Sequence, residues 1–323
     1  MIIKKVAFVL TTLFITNMAL ADNDLKEEKS TNFIVTPFVA YRYDVFKYSI
    51  PSNLFLDQKI SELVWKNRIL QPSLKIELEP KENQFTILGQ VKYGYILKNQ
   101  SKSWDHDWDH TRDITGNVIS KLRSTTKSQA TGNILDLSGA IGYSLGLFKD
   151  SLLTFYVGYD YSDYRNKNYG DHQLVFKRKL NYFSSGGLFQ KYYFKTHSPW
   201  VGLSVNIPLN ERFTIIPTIK LYSFKHVGKG YWIYRGDLKQ DPSLKNTAKG
   251  KGLGFDLDFI YKYTNNLDLT FNLETKKFKM KKKGTDQMFF NSLSPGGERI
   301  ATKKLIDLSL RSSSISAGLK YKL

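Results

Sequence analysis

The chain of 323 residues has no cysteine, so no disulfide scaffold or paired-cysteine motif is available and the fold rests on hydrogen bonding and packing. Beyond the first twenty residues no stretch approaches eighteen uninterrupted apolar residues, which excludes a transmembrane helix. Helix-period runs are scarce along the chain. There is no glycine-rich phosphate loop and no Ser/His/Asp elbow; Gly186-Gly187 and Gly296-Gly297 read as loop and turn residues. Acid is also in short supply, with 29 Asp and Glu against 48 Lys and Arg and a net charge of +19. Such a balance points to an anionic membrane surface or nucleic acid.

What is present decides between those two. Lys4 and Lys5 precede an apolar run from Val6 to Ile15, and Ala19-Leu20-Ala21 supplies the small residues of a cleavage site. This predicts a signal peptide over 1–21 and a mature chain over 22–323. An exported chain meets little nucleic acid but many lipid phosphates. Twenty tyrosines and twenty-one phenylalanines suit the aromatic girdles of a membrane barrel.

The dominant pattern is alternation. In the last ten residues Ile315, Ala317, Leu319, Tyr321 and Leu323 fall on one face of an extended strand, and Ser314, Ser316, Gly318, Lys320 and Lys322 fall on the other. Leu253, Phe255, Leu257 and Phe259 alternate with Gly254, Asp256, Asp258 and Ile260, and Leu135 to Tyr143 and Leu267 to Glu274 do the same. Charges set inside such strands (Asp136, Asp256, Asp258, Asp268, Glu274, Lys320) imply a polar interior and an apolar exterior, unlike a soluble sandwich. Tight connections at 79–83, 148–151, 208–211 and 264–266 alternate with long polar ones near 49–61, 100–131, 169–185, 228–250 and 280–302. The prediction is one all-β domain, a ten-stranded antiparallel transmembrane β-barrel of the bacterial outer membrane. Its short turns face the periplasm and its five long loops face outward. A wide porin channel would need about 16–18 strands; ten are filled largely by their own side chains.

The sharpest chemical cluster is Trp104-Asp105-His106-Asp107-Trp108-Asp109-His110. On a strand Asp105 and Asp107 share a face, where their repulsion raises one pKa and lets the pair hold a proton or position a water. The same run reads equally as a polar loop with interfacial tryptophans, and its spacing fits no specific metal template. A second signal is basic: Lys276, Lys277, Lys279, Lys281, Lys282 and Lys283 climb one strand, with Lys225, Lys229 and Arg235 at the same height on another. At the outer leaflet these would meet lipopolysaccharide phosphates through charge-assisted hydrogen bonds. His197, before Ser198-Pro199, is expected to mark a bulge.

Ser61-Glu62-Leu63-Val64-Trp65, Asp105-His106-Asp107-Trp108 and the ending Ala317-Gly318-Leu319-Lys320-Tyr321 together resemble the omptin family of outer-membrane proteases. The resemblance implies a ten-stranded barrel dependent on lipopolysaccharide, with no metal or other cofactor. Its active site would be a groove at the extracellular rim, where Asp105 and Asp107 match the first aspartate pair. The facing Asp-x-His dyad has no match: a gapless count puts it at Tyr231 and Ile233, neither of which is a base. His226 is the nearest substitute on that strand, and Asp171-His172 is a further Asp/His pair at the rim. Two readings stand. One is a surface barrel bound to lipopolysaccharide, with host or surface proteins as partners and proteolysis lost or altered. The other is an endopeptidase cleaving near basic residues through Asp105, Asp107 and a rearranged His226.

Overall fold

The computed structural model describes residues 31–52, 58–80, 84–147, 151–176, 187–233, 235–281, 284–294 and 296–323. The expected signal peptide, the turn residues 81–83 and 148–150, Lys282 and Lys283 lie outside the described residues. The described strands are β1 (Thr31–Pro51), β2 (Lys59–Pro80), β3 (Phe85–Ile96), β4 (Lys102–Arg112), β5 (Val118–Gly146), β6 (Leu152–Phe176), β7 (Leu188–Pro208), β8 (Phe213–Trp232), β9 (Leu244–Lys262), β10 (Leu267–Met280), β11 (Gly284–Phe290), β12 (Arg299–Leu305) and β13 (Asp307–Lys322).

They form one antiparallel sheet closed on itself. The terminal strand β13 pairs with β1 on one side and β10 on the other, and β10 pairs with β9. Going round the ring gives ten staves, because β4 continues the line of β3: β2 pairs with β3 through Ile69–Leu78 and with β4 through Ser61–Lys66. The hairpin β11–β12 prolongs the β10/β13 pair, with β11 lying against the top of β9. Closure leaves no edge, and in a bilayer that is obligatory because no water is present to satisfy free backbone groups.

The alternation seen in the sequence sorts the two faces as expected. Val39, Leu137, Ile141, Val157, Ile219, Leu221, Leu253 and Leu319 point outward and are exposed, as is Ile315. Together these outward side chains make a belt over 33–43, 70–78, 85–95, 135–147, 152–161, 199–207, 213–221, 253–261, 267–273 and 315–323. Exposed to water such a belt would cost about 25 cal/mol for each Å² of apolar surface; lipid removes that cost. Among the inward residues Arg42, Asp44, Asp136 and Asp268 are buried.

Expectations change at the long loops and at His197: β6 runs on to Phe176 and β8 to Trp232, β9 starts at Leu244, and β11 and the start of β12 fall within 280–302. Most of 100–131 is strand rather than loop, since β4 and β5 form a hairpin with its turn at 113–117. Polar sequence here signals strands rising into water, where both faces can be polar. His197 marks no bulge: the β6–β7 register passes unbroken from Tyr161↔His197 to Tyr159↔Pro199, and the His197 ring meets the Tyr159 hydroxyl at 2.6 Å. The irregularities lie elsewhere, between Asn168 and Tyr169 where β6 meets β7, and on β5 opposite β4 and β6. There Gly132, at φ 139°, brings its Cα against Arg165, whose carbonyl oxygen would sit 1.8 Å from any added Cβ, so only glycine fits.

Candidate functional site

The bore has three levels. The lowest, inside the belt, is a charged chamber of about 610 Å³ reaching from Asn32 and Gln84 up to Asp136 and Lys276. Its charges are matched in pairs: Lys92–Glu274 at 2.6 Å, Lys220–Asp256 at 2.6 Å and Lys75–Glu77 at 2.9 Å. Above them Arg42 reaches Asp44 at 2.8 Å and Asp136 at 2.6 Å and donates to the Tyr164 hydroxyl. Tyr164 donates in turn to Asp44 at 2.7 Å, and Gln71 donates to Asp136 at 2.8 Å.

The second level is aromatic. Phe46 stacks on Phe194 with ring centroids 4.4 Å apart and on Tyr192 at 5.6 Å, and Tyr192 stacks on Trp65 at 5.0 Å. β1 and β7 are five staves apart in a ring of ten, so the Phe46–Phe194 contact crosses the full bore. Phe46, Tyr48, Trp65, Tyr164, Tyr192 and Phe194 are all buried. This layer closes the chamber from above.

His226 belongs to this layer. Its ring packs against Phe46 and Phe194, and its Nε2 lies 3.1 Å from the Tyr192 hydroxyl and 3.2 Å from Asn246 Oδ1. It is fully buried, and that burial drives its pKa down to about 3, so the ring stays neutral. No hydrogen bond joins it to either aspartate among the described residues.

The third level is acidic. Asp105 and Asp107 share the inward face of β4, with Asp105 accepting from Ser61 at 3.2 Å and Asp107 from Ser124 at 3.0 Å. Burial first, and then the neighbouring Asp107 charge, push the Asp105 carboxyl up to about 8. The sequence reading missed Asp286 on β11, which is buried opposite Asn246, with neither carboxyl oxygen hydrogen-bonded among the described residues. Burial raises it to about 7 against the opposing pull of Lys303. The other candidates lie elsewhere. His106 and His110 face outward, bonded to Thr125 and Ser120. Tyr231 packs on Tyr193, Ile233 is exposed just past β8, and the Asp171 and His172 side chains lie outside the described residues.

These two carboxyls bind protons more tightly folded than unfolded, where a free aspartate titrates near 3.9. Between those values the native state holds more protons, so stability should fall as pH rises from about 4 to 8. In urea titrations at pH 5 and pH 8, the wild-type midpoint should drop. Asp105→Asn should shrink that drop, and Asp105→Asn with Asp286→Asn should abolish it and leave a rise, because His226, neutral when buried, favours the folded state as pH climbs toward about 6.5. A slope unaltered in the double variant would show that other groups carry it.

The outer wall just above the belt is basic. Across β8 and β9, Lys225 faces Lys249 and Lys229 faces Lys245; across β9 and β10, Lys251 faces Lys279. Lys277 faces Arg311 across β10 and β13, and Lys167 faces Lys191 across β6 and β7. Like charges directly opposite on neighbouring strands repel. None of these side chains has an acidic partner among the described residues. Lys281 extends the row at the top of β10. Arg235 does not join it, because Asp237 holds its guanidinium at 2.6–2.7 Å. Lys245, Lys249 and Lys251 were missed although their period-two spacing is visible in the sequence; their pairing partners are not.

A family model described as "Pom: Protochlamydia outer membrane protein" matches residues 38–323. The search of curated proteins finds no match. Among solved structures, the outer membrane protease OmpT from Escherichia coli superposes with a TM-score of 0.70 at 15% identity, over 93% of this chain and 99% of that one. The translocator domain of the autotransporter NalP from Neisseria meningitidis gives a TM-score of 0.41 at 9% identity, over 99% and 96% of the two chains. Neisserial surface protein A gives 0.28 at 9%, over 90% and 97%. At these identities the OmpT match bears on the fold alone.

Proposed function

The chain belongs to the Protochlamydia outer membrane protein (Pom) family, and we propose that it is a surface barrel anchored to lipopolysaccharide, with omptin-type proteolysis lost. The observation that carries this reading is the row of facing lysine pairs above the belt, at the height of the outer-leaflet phosphates. A phosphate between two opposed ammonium groups turns their repulsion into two charge-assisted contacts. The loss of proteolysis is supported by the state of His226, a buried neutral ring bonded to Tyr192 and Asn246, with no hydrogen bond to Asp105 or Asp107 among the described residues. A general base contributes about 10²–10⁴-fold to such a reaction. Above the belt Ile114, Leu293 and Ile300 are strongly exposed, which suits a rim that meets other proteins.

Each lysine near an anionic surface contributes about 1 kcal/mol. Replacing Lys225, Lys249, Lys251 and Lys279 together with Gln should therefore weaken binding to lipopolysaccharide roughly 10²–10³-fold at low salt, with less effect at high salt. Unchanged affinity would remove the basis of the anchoring role. The inward pair Asp105 and Asp107 favours the endopeptidase reading, so the same refolded protein should also be offered a fluorogenic Arg-Arg peptide. It should leave the peptide uncut. Turnover lost in both Asp107→Ala and His226→Ala would establish a protease instead.

A further inference from the structure

On the outer face where β4 takes over from β3, the wall is concave. A cleft of about 250 Å³ lies there, lined by Tyr43, Lys66, Arg68, Gln100, Lys102 and Trp104. It sits immediately above the lipid belt, since the outward neighbours below are Tyr41, Leu70 and Tyr93. We propose that this cleft is a discrete site for one phosphorylated sugar headgroup of a membrane-anchored glycolipid. The proposal deepens the anchoring role and rests on it, but it names a different face of the barrel from the β8–β10 lysines.

Three features carry it. Lys66 and Lys102 stand directly opposite each other across β2 and β4, with Arg68 two residues below Lys66 on the same face. Among the described residues none of the three has an acidic partner. Nearby Lys47 and Lys59, by contrast, share the Glu62 carboxylate, at 2.7 and 2.9 Å, and Lys47 also lies 3.8 Å from Asp307. The barrel thus spends its outward acid one step higher and leaves these three cations free for an external anion.

The second feature is the wall chemistry. Trp104 and Tyr43 present aromatic surface, and the Lys66 ammonium already lies 4.9 Å from the Trp104 ring centre. Aromatic rings beside cations and the Gln100 amide suit a sugar that carries a phosphate better than a bare inorganic ion.

The third is preorganisation. The bend between β3 and β4 is tied to β2 and β5 by backbone bonds: Leu97 to Arg68 at 2.8 Å and Ala130 to Ser101 at 3.0 Å. The Arg68 backbone N–H also donates to the Ser101 hydroxyl at 2.9 Å, and Tyr41 donates to Gln100 at 3.4 Å. A cleft held this way loses little entropy on binding.

The test is native mass spectrometry of the full barrel titrated with bis-phosphorylated lipid A in neutral detergent. Lys66→Ala/Arg68→Ala/Lys102→Ala should lose one retained lipid and at least tenfold in its affinity. Lys249→Gln/Lys251→Gln/Lys279→Gln should keep that lipid and lose others. An unchanged count in the cleft variant overturns the inference while leaving the β8–β10 reading intact, and no lipid retained by the wild type overturns both. The de-acylated phosphorylated disaccharide should bind at least tenfold more weakly than lipid A, because it lacks the chains that would lie along the belt. Equal binding would overturn the assignment to a membrane lipid. Heat-modifiable mobility on gels confirms that each variant is folded.

Discussion

Arg42→Met should destabilise the barrel by about 3–5 kcal/mol, the usual cost of leaving a buried partner charge uncompensated. Arg42 is buried and, among the described residues, is the one cation within ion-pair distance of Asp44 and Asp136, with the Tyr164 hydroxyl as its third acceptor. Its removal strands two buried carboxylates, linked across the bore from β1 to β5 and β6. The measurement is a urea or guanidinium midpoint followed by tryptophan fluorescence in micelles. The ion network can be separated from simple packing by a rescue: Arg42→Met combined with Asp44→Asn and Asp136→Asn should recover at least half the loss. Replacing a complete buried network by neutral groups is often nearly neutral, whereas removing one member is not. A triple variant no better than Arg42→Met would mean that the guanidinium acts through packing.

Phe46→Ala is expected to cost a similar amount, about 3–5 kcal/mol, as for other buried phenylalanines truncated in cores. Its ring touches Tyr48, Trp65, Tyr192, Phe194 and His226, so one truncation opens the middle of the layer. A second readout distinguishes opening from mere loss of stability. In the wild type His226 should stay neutral down to about pH 3, since burial holds it there. With Phe46 removed, water reaches the ring and its titration, followed by NMR, should move up toward the ordinary histidine value near 6.5. A histidine still untitrated at pH 5 in that variant would show that the layer stays closed without Phe46.

Much of the fold could be read from the chain because a membrane barrel writes its two faces into a two-residue period. Lipid demands apolar side chains at alternate positions, so Leu253, Phe255, Leu257 and Phe259 declare a strand without help from any contact. The stave number followed from counting connections. Loop lengths were harder to read: above the membrane the period-two signal fades, because both faces meet polar surroundings. Residues such as Val118 to Gln129 therefore look like loop and are strand.

The site was legible only in part. Asp105 and Asp107 were recognisable as a pair because two residues on a strand share a face, and they do face inward together. Asp286 gave no such sign, as a lone acid in a polar stretch whose burial depends on β9 and β12. His226 looked like a base on a lumen face, and the face was right. Its environment is set by Phe46, Tyr192 and Phe194, which are far away in sequence.

By itself, then, the sequence determined an exported, cysteine-free, ten-stave outer-membrane barrel with a polar bore and a basic outer surface. These are properties of local period, composition and connection length, and each can be evaluated one segment at a time. The tertiary structure decided which charges meet. It set lysine against lysine along the outer wall, gave Arg42 its two carboxylates, sealed the bore with rings from opposite staves and enclosed His226 among them. Such outcomes depend on register and on contacts across a closed ring. One residue of slip turns every side chain to the other face, so only the closed sheet can fix them.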